Sequence, residues 1–208
     1  MIAIDILLEP DAATQARARR VNAALRDDHA AGFAFDATHL PHVTLVQRYV
    51  YEHDLEPLSR AIGSIAAAHN PLAMSLDVTG VRVRIDGQTG SASWRIADTP
   101  ALQALADACL AAAHEVAVAG GTAAAFVPDD DGTPIRDATI RYVERFATDH
   151  AGARFSPHVT LGLAGATYLH ALEGAGFEPF AFSPAAIALY QLGNHGTARR
   201  CRWRRPAA

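Results

Sequence analysis

The sequence predicts an α+β protein in two lobes, each lending one strand to a shared cleft. Three observations predict it. A five-residue phrase occurs twice, as Pro41-His42-Val43-Thr44-Leu45 and Pro157-His158-Val159-Thr160-Leu161. Around the copies, period-two segments alternate with amphipathic ones, in the order strand-helix-strand-helix-strands and then helix-helix-strand-helix-strands. With 208 residues, half of them hydrophobic and 19% charged, the chain can bury a good core as one domain spanning 1–208.

Taken in order, Ile2, Ile4 and Ile6 alternate with Ala3 and Asp5, the period of a strand over residues 2–8. Pro10-Asp11 signals a helix start, and residues 12–30 carry Ala18, Val21 and Leu25 at helical spacing. Arg17, Arg19 and Arg20 around them read as a solvated face. Residues 33–40 are a loop holding Asp36, Thr38 and His39. The first motif strand runs to about Val50, and Arg48 shares the parity of His42 and Thr44; it reads equally as a phosphate neighbour or a plain surface residue. His39 and His42 are three apart, but Pro41 between them and the extended backbone make a shared metal-ligand face improbable, so no metal site is expected.

Asp54 is placed to cap a second helix carrying Leu55, Leu58, Ile62 and Ile65, stopped by Asn70-Pro71. Residues 72–79 and 81–86 read as strands, with a turn at Gly87-Gln88-Thr89-Gly90 and a return strand at 92–96. Arg82 and Arg84 share one side of that hairpin and read as an exposed strand face. Thr99-Pro100 is an N-cap followed by Pro at the first helical position, opening a helix to about Val118 in which Cys109 is a buried small residue. The run Asp129-Asp130-Asp131-Gly132 lacks the alternating ligands of a calcium loop and reads as a turn. A helix over 137–150 makes up extra length, an expected insertion near 120–152 that is placed to cover the cleft. The second motif strand follows from Phe155, then a short helix ending near Gly174, a strand over 186–192, and a last strand from Ala198 to Arg205. In that strand a period of two puts Arg200, Arg202 and Arg204 opposite Cys201 and Trp203. They read as an edge protected by charge, ahead of a track for a polynucleotide backbone.

The net charge of −4 provides no global attraction to nucleic acid, so any such contact must be local. Cys109 and Cys201 form no C-x-x-C pair, which suits a reducing, cytoplasmic setting and argues against a disulfide framework or a cysteine zinc site. The N-terminal strand lacks a basic region and a cleavage site, so no signal peptide is expected, and no apolar run reaches the ~18 residues of a membrane span. A monomer without a cofactor is expected.

The chemistry rests in the repeated phrase. In a strand, residues two apart share a face, so His42 and Thr44 point one way while Val43 and Leu45 point the other; His158 and Thr160 repeat this against Val159 and Leu161. Two imidazoles and two hydroxyls then meet in one cleft. A neutral His can take a proton from an attacking oxygen, and an imidazolium can give one to a leaving oxygen. Threonine hydroxyls can donate to non-bridging phosphoryl oxygens. That set suits metal-free phosphodiester chemistry.

His42-Val43-Thr44-Leu45 and His158-Val159-Thr160-Leu161 resemble the paired H-x-T-hydrophobic motifs of the 2H phosphoesterase superfamily, which includes the bacterial 2′-5′ RNA ligases and cyclic nucleotide phosphodiesterases. The stretch Leu189–Ala198 is similar to the C-terminal strand and turn of some members. The resemblance implies pseudo-symmetric lobes of antiparallel sheet facing a central cleft, with helices outside. It also implies catalysis by His42 and His158, with Thr44 and Thr160 holding the phosphate of a nucleotide or RNA carrying a 2′,3′-cyclic or 2′-5′ phosphodiester. Which His is acid and which base stays open at this point. The alternative is a binding module that holds a nucleotide or RNA end in the same cleft without turnover. A third reading, in which both His are satisfied core residues, is weakened by their occurring in matched copies.

Overall fold

The structure is a computed structural model describing residues 1–36 and 38–207; Ala37, within the loop expected at 33–40, and Ala208 lie outside the described residues. The elements are β1 (Ile2–Pro10), α1 (Ala12–Asp28), β2 (Val43–Val50), α2 (Leu55–His69), β3 (Leu76–Asp86), β4 (Thr89–Ile96), α3 (Pro100–His114), β5 (Ala117–Val118), α4 (Asp137–Asp149), β6 (His158–Gly165), α5 (Ala166–Gly174), β7 (Phe180–Phe182), β8 (Pro184–Leu192) and β9 (Ala198–Pro206). All strand pairs are antiparallel, in one continuous sheet of order β7-β3-β4-β6-β2-β1-β8-β9, with β5 beside β2. The sheet curls into a half-barrel.

Local chemistry explains most boundaries. Asp11 caps α1 by accepting a hydrogen bond from the Thr14 amide at 2.7 Å, and Thr99 caps α3 by accepting from Leu102 at 3.2 Å, each satisfying an amide that the first helical turn leaves open. Asp54 makes no such bond, because a 3-10 turn over Glu52–Asp54 leads directly into α2. Asn70 ends α2 in the left-handed region (φ 46°), and Pro71 cannot continue it. α3 stops at His114, four residues before the expected end, and the short strand β5 begins at Ala117. The two strands expected over 72–86 are one, β3, interrupted at Thr79 by a bulge.

The core lies between the sheet and four helices. α1 rests on β6, α3 on β2, α5 on β3, and α2 on α3 and β9. Ile2, Ile4, Ile6 and Leu8 of β1 meet Val43, Leu45 and Val46 of β2 on this side, under Ala18, Leu25, Leu58, Ile62, Leu105 and Cys109. Burial pushes the Cys109 thiol up to about 12, as for an inert core residue. Strand β1 is buried along its whole length on both faces, so its other parity, Ala3, Asp5, Leu7 and Glu9, lies within the protein too. α4 covers part of that second face: it packs on β2, and the Tyr49 hydroxyl donates to the Ile140 carbonyl.

β9 is a sheet edge, and three of the arginines near its end are tied down. Arg204 makes paired hydrogen bonds to buried Glu9 at 2.9–3.0 Å, Arg202 pairs with Glu52, and Arg205 reaches the Gly63 carbonyl. The simple alternation expected there fails. Leu189 pairs with Trp203 but Tyr190 with Cys201, so Arg202 is an extra residue and Arg204 comes to share a face with Cys201. Among the described residues no helix is long and apolar enough to cross a membrane.

Candidate functional site

The two motif strands are neighbours, joined by the single pair Val43–Val159. Directly opposed residues share a face, so Val43 and Val159 both turn into the core. The residues on either side, His42 and Thr44 from β2 and His158 and Thr160 from β6, turn to the other face. All four line one cavity of about 430 Å³. With roughly 3.3 Å per residue along a strand and about 4.8 Å between strands, the four side chains rise from a patch of one small ligand's width.

Both copies carry a β-bulge at the same offset. In the first, Ile6 pairs with Val46 and Leu7 with Thr44, leaving Leu45 over; in the second, Ala92 pairs with Gly162 and Ser93 with Thr160, leaving Leu161 over. An extra residue reverses the parity beyond it. Arg48, expected on the motif face, therefore pairs with Ile4 on the core side, and Gln47 takes the place beside Thr44. Leu163 does the same beside Thr160. In the second copy the bulge needs glycine: Gly162 has φ 147°, and a Cβ there would lie 2.9 Å from Asn22 Nδ2. That same amide of Asn22 donates to the Leu161 carbonyl at 2.8 Å. Gly162→Val, which would copy the Val46 of the first phrase, is expected to lower unfolding free energy by about 1–3 kcal/mol, read by urea titration; an unchanged midpoint would refute it.

The imidazoles are held alike. Nδ1 of His42 lies 2.8 Å from the Leu40 carbonyl, and Nδ1 of His158 lies 2.7 Å from the Ser156 carbonyl, in each case the residue two before. A carbonyl oxygen only accepts, so each ring carries its proton on Nδ1 and presents Nε2 to the cavity.

Their electrostatic settings differ. Asp5, fully buried, lies 3.5 Å from Nε2 of His42 and accepts hydrogen bonds from the Thr44 hydroxyl at 2.7 Å and the Gln47 amide at 2.8 Å. Burial by itself depresses the His42 pKa, but the hydrogen bond and charge of Asp5 outweigh it, and the pKa stands above its ordinary value. The equivalent position beside the second copy is Ser91, which has no charge. Burial, reinforced by the positive charges of Arg82 and Arg84, brings His158 down to about 4. Of the two rings, His42 is therefore the one that favours the proton and His158 the one that favours the neutral form.

The walls hold residues that the motif does not announce. On β3, Arg82 pairs with Ser93 and Arg84 with Ser91, which places both side chains on the cavity face; Arg82 is half-buried there, while Arg84 is exposed as expected. Burial, then the charges of Arg84 and Arg95, keeps Arg82 below its ordinary pKa. α4 contributes Tyr142 and Phe146, with His150 just beyond, at the four-residue spacing that aligns one helix face. Tyr142 and His150 stack with centroids 4.3 Å apart. His195, in the left-handed region (φ 57°), lines the cavity near Phe33, and its Nδ1 accepts from Arg136 at 3.2 Å. His39 is turned elsewhere, its Nε2 accepting from Arg199 at 2.9 Å and its Nδ1 3.0 Å from Asp36. Among the described residues no group of three or more His, Cys, Asp or Glu side chains is arranged to hold a metal ion.

Asp5 had a signal in the sequence: it is the charged member of the polar parity in an otherwise apolar strand, Ile2–Leu8. His195 and the α4 aromatics had none, since each reaches the site only through packing across the sheet.

The fold and this site define an α+β protein with a curled antiparallel sheet that brings a matched pair of histidines to one cavity. Compared with models of known protein families the chain matches none, and no curated protein matches it.

Proposed function

We propose that the protein is a metal-independent phosphoesterase acting on 2′,3′-cyclic or 2′-5′ phosphodiesters of nucleotides or RNA ends. The observation that carries this reading is the pair of Nδ1-anchored imidazoles presenting Nε2 to one cavity, only one of them backed by a carboxylate. On this reading the halves β7-β3-β4-β6 and β2-β1-β8-β9 are the two pseudo-symmetric lobes, and the seam at Val43–Val159 is the floor of the cleft.

For a 2′,3′-cyclic phosphate, Nε2 of His158 takes a proton from water as its oxygen bonds to phosphorus. The bond from phosphorus to one ribose oxygen breaks, and Nε2 of His42 gives its proton to that oxygen. The product is a phosphomonoester; His158 then returns its proton to solvent and His42 regains one. In the reverse direction the roles exchange, which accounts for ligation by the same groups. Thr160 donates to the phosphoryl oxygens. Thr44, whose hydroxyl hydrogen bonds to Asp5, helps set that carboxylate and is freed to do the same for phosphate only if it lets Asp5 go. The aromatic wall of α4 offers a face on which a nucleobase can stack.

The test is hydrolysis of nucleoside 2′,3′-cyclic phosphates and of a 2′-5′-linked dinucleotide, with and without EDTA. Turnover that EDTA leaves unchanged is expected. Tight binding of the same compounds with no turnover would make the protein a binding module, and activity lost to EDTA and restored by a metal would refute the mechanism.

A further inference from the structure

We propose that the Arg82–Arg84 face of the β3–β4 hairpin is a second anion subsite, selecting nucleotides that carry another phosphate besides the scissile one. The inference rests on the phosphoesterase reading for the position of the scissile phosphate, and not otherwise.

The placement follows from strand pairing. Thr160 pairs with Ser93, and Ser93 with Arg82, so Arg82 stands two strands from Thr160 on the same face, roughly 10 Å away between Cα atoms. Arg84 follows one step along the strand on that face. The intervening Ser93 and Ser91 are small and leave the lateral path open. The arginine pair thus borders His158 on the side away from β2, Arg82 reaching Ser156 at 3.0 Å, so an anion held there would lie beside the two imidazoles and not between them.

Charge makes the second site necessary. Among the described residues, the charged side chains lining the cavity other than His are Arg82, Arg84, Arg136, Arg154 and Asp149. Asp149 is already paired with Arg145 at 2.6 Å. Among the described residues, neither Arg82 nor Arg84 has a carboxylate within ion-pair distance; Arg82 donates to the Ser156 hydroxyl at 3.0 Å, and its buried Nε has no partner there. Arg82 is half-buried and Arg84 exposed; a half-buried guanidinium beside a second one and without an anion is costly, because it loses solvation and is repelled by its neighbour. One phosphodiester brings a single negative charge and would leave most of that field uncompensated. A phosphomonoester brings about −1.5 to −2 and three acceptor oxygens, which suit the forked donors of arginine.

Binding and turnover test it separately. Calorimetry compares adenosine 2′,5′- and 3′,5′-bisphosphate with the 2′- and 3′-monophosphates. The wild-type chain is expected to bind the better bisphosphate at least tenfold more tightly than its monophosphate. In the Arg82→Gln/Arg84→Gln variant that ratio should fall below about threefold. Arg20→Gln/Arg26→Gln, which removes the same two charges from exposed positions on α1, should keep it. Circular dichroism melting shows whether the double variant is folded, and Arg82→Lys/Arg84→Lys, which keeps both charges, should show an intermediate ratio. Equal wild-type affinity for the two classes, a preference that survives in a folded Gln variant, or no binding of either class overturns the subsite. Absence of cyclic-phosphate turnover by the wild-type chain, with its bisphosphate preference and the loss of that preference in the Gln variant as expected, would instead overturn the phosphoesterase reading and leave the subsite standing.

Discussion

His42→Ala and His158→Ala are each expected to lower kcat on a 2′,3′-cyclic nucleotide by more than about a hundredfold, the scale on which a positioned acid or base contributes. The expectation rests on geometry common to both rings: Nδ1 is committed to a backbone carbonyl, so only Nε2 is available to move a proton, and alanine leaves nothing in its place. The effects should not multiply. The two groups serve one transition state, so the double variant should be little worse than either single one. Thr160→Val should cost less, because it removes one of several donors to phosphate. Stopped assays with a fluorescent cyclic phosphate, on variants shown to melt like the wild type, measure all four. Near-normal turnover by the double His variant would remove the catalytic role of the pair.

Asp5→Asn should move one limb of the pH profile and not the other. Activity needs His158 neutral and His42 protonated. It therefore appears as pH rises through the lower pKa, near 4 and assigned to His158, and disappears as pH rises through the raised value of His42. Asp5 is the reason the upper value is high, since burial acting alone would lower it. Replacing the carboxylate by an amide keeps the shape and removes the charge. The alkaline limb should shift to lower pH while the acid limb stays in place. Above the alkaline midpoint of the variant its activity should fall away while the wild type still turns over, and on the acid side it should retain much of its rate. Because the two imidazoles interact, the limbs report the pair and not isolated residues, so the decisive quantity is the shift of one limb relative to the other. A profile that falls uniformly would make Asp5 a structural residue only.

The repeated phrase and its flanking periodicity contained most of the site. Alternation put His and Thr on one face and Val and Leu on the other, and the strands keep that arrangement. The strand and helix order was legible as well, because caps such as Asp11 and Thr99 act within a few residues of themselves. Alternation failed wherever an extra residue entered a strand. Arg48 left the motif face at the Leu45 bulge, and Arg204 joined Cys201 at the Arg202 bulge. A bulge is decided by what the neighbouring strand needs, and that neighbour is distant in sequence.

By itself, then, the amino-acid order determined which side chains could do chemistry and which face of their own strand they would share, since both depend on residues one or two apart. Tertiary structure alone decided that the two copies lie side by side in one sheet. It also placed Asp5 against His42 with no counterpart beside His158, and set Arg82 and Arg84 along the wall of the cavity. Those outcomes depend on pairings between strands far apart in the chain, and it is the charge brought by such pairings that makes two identical motifs chemically unequal.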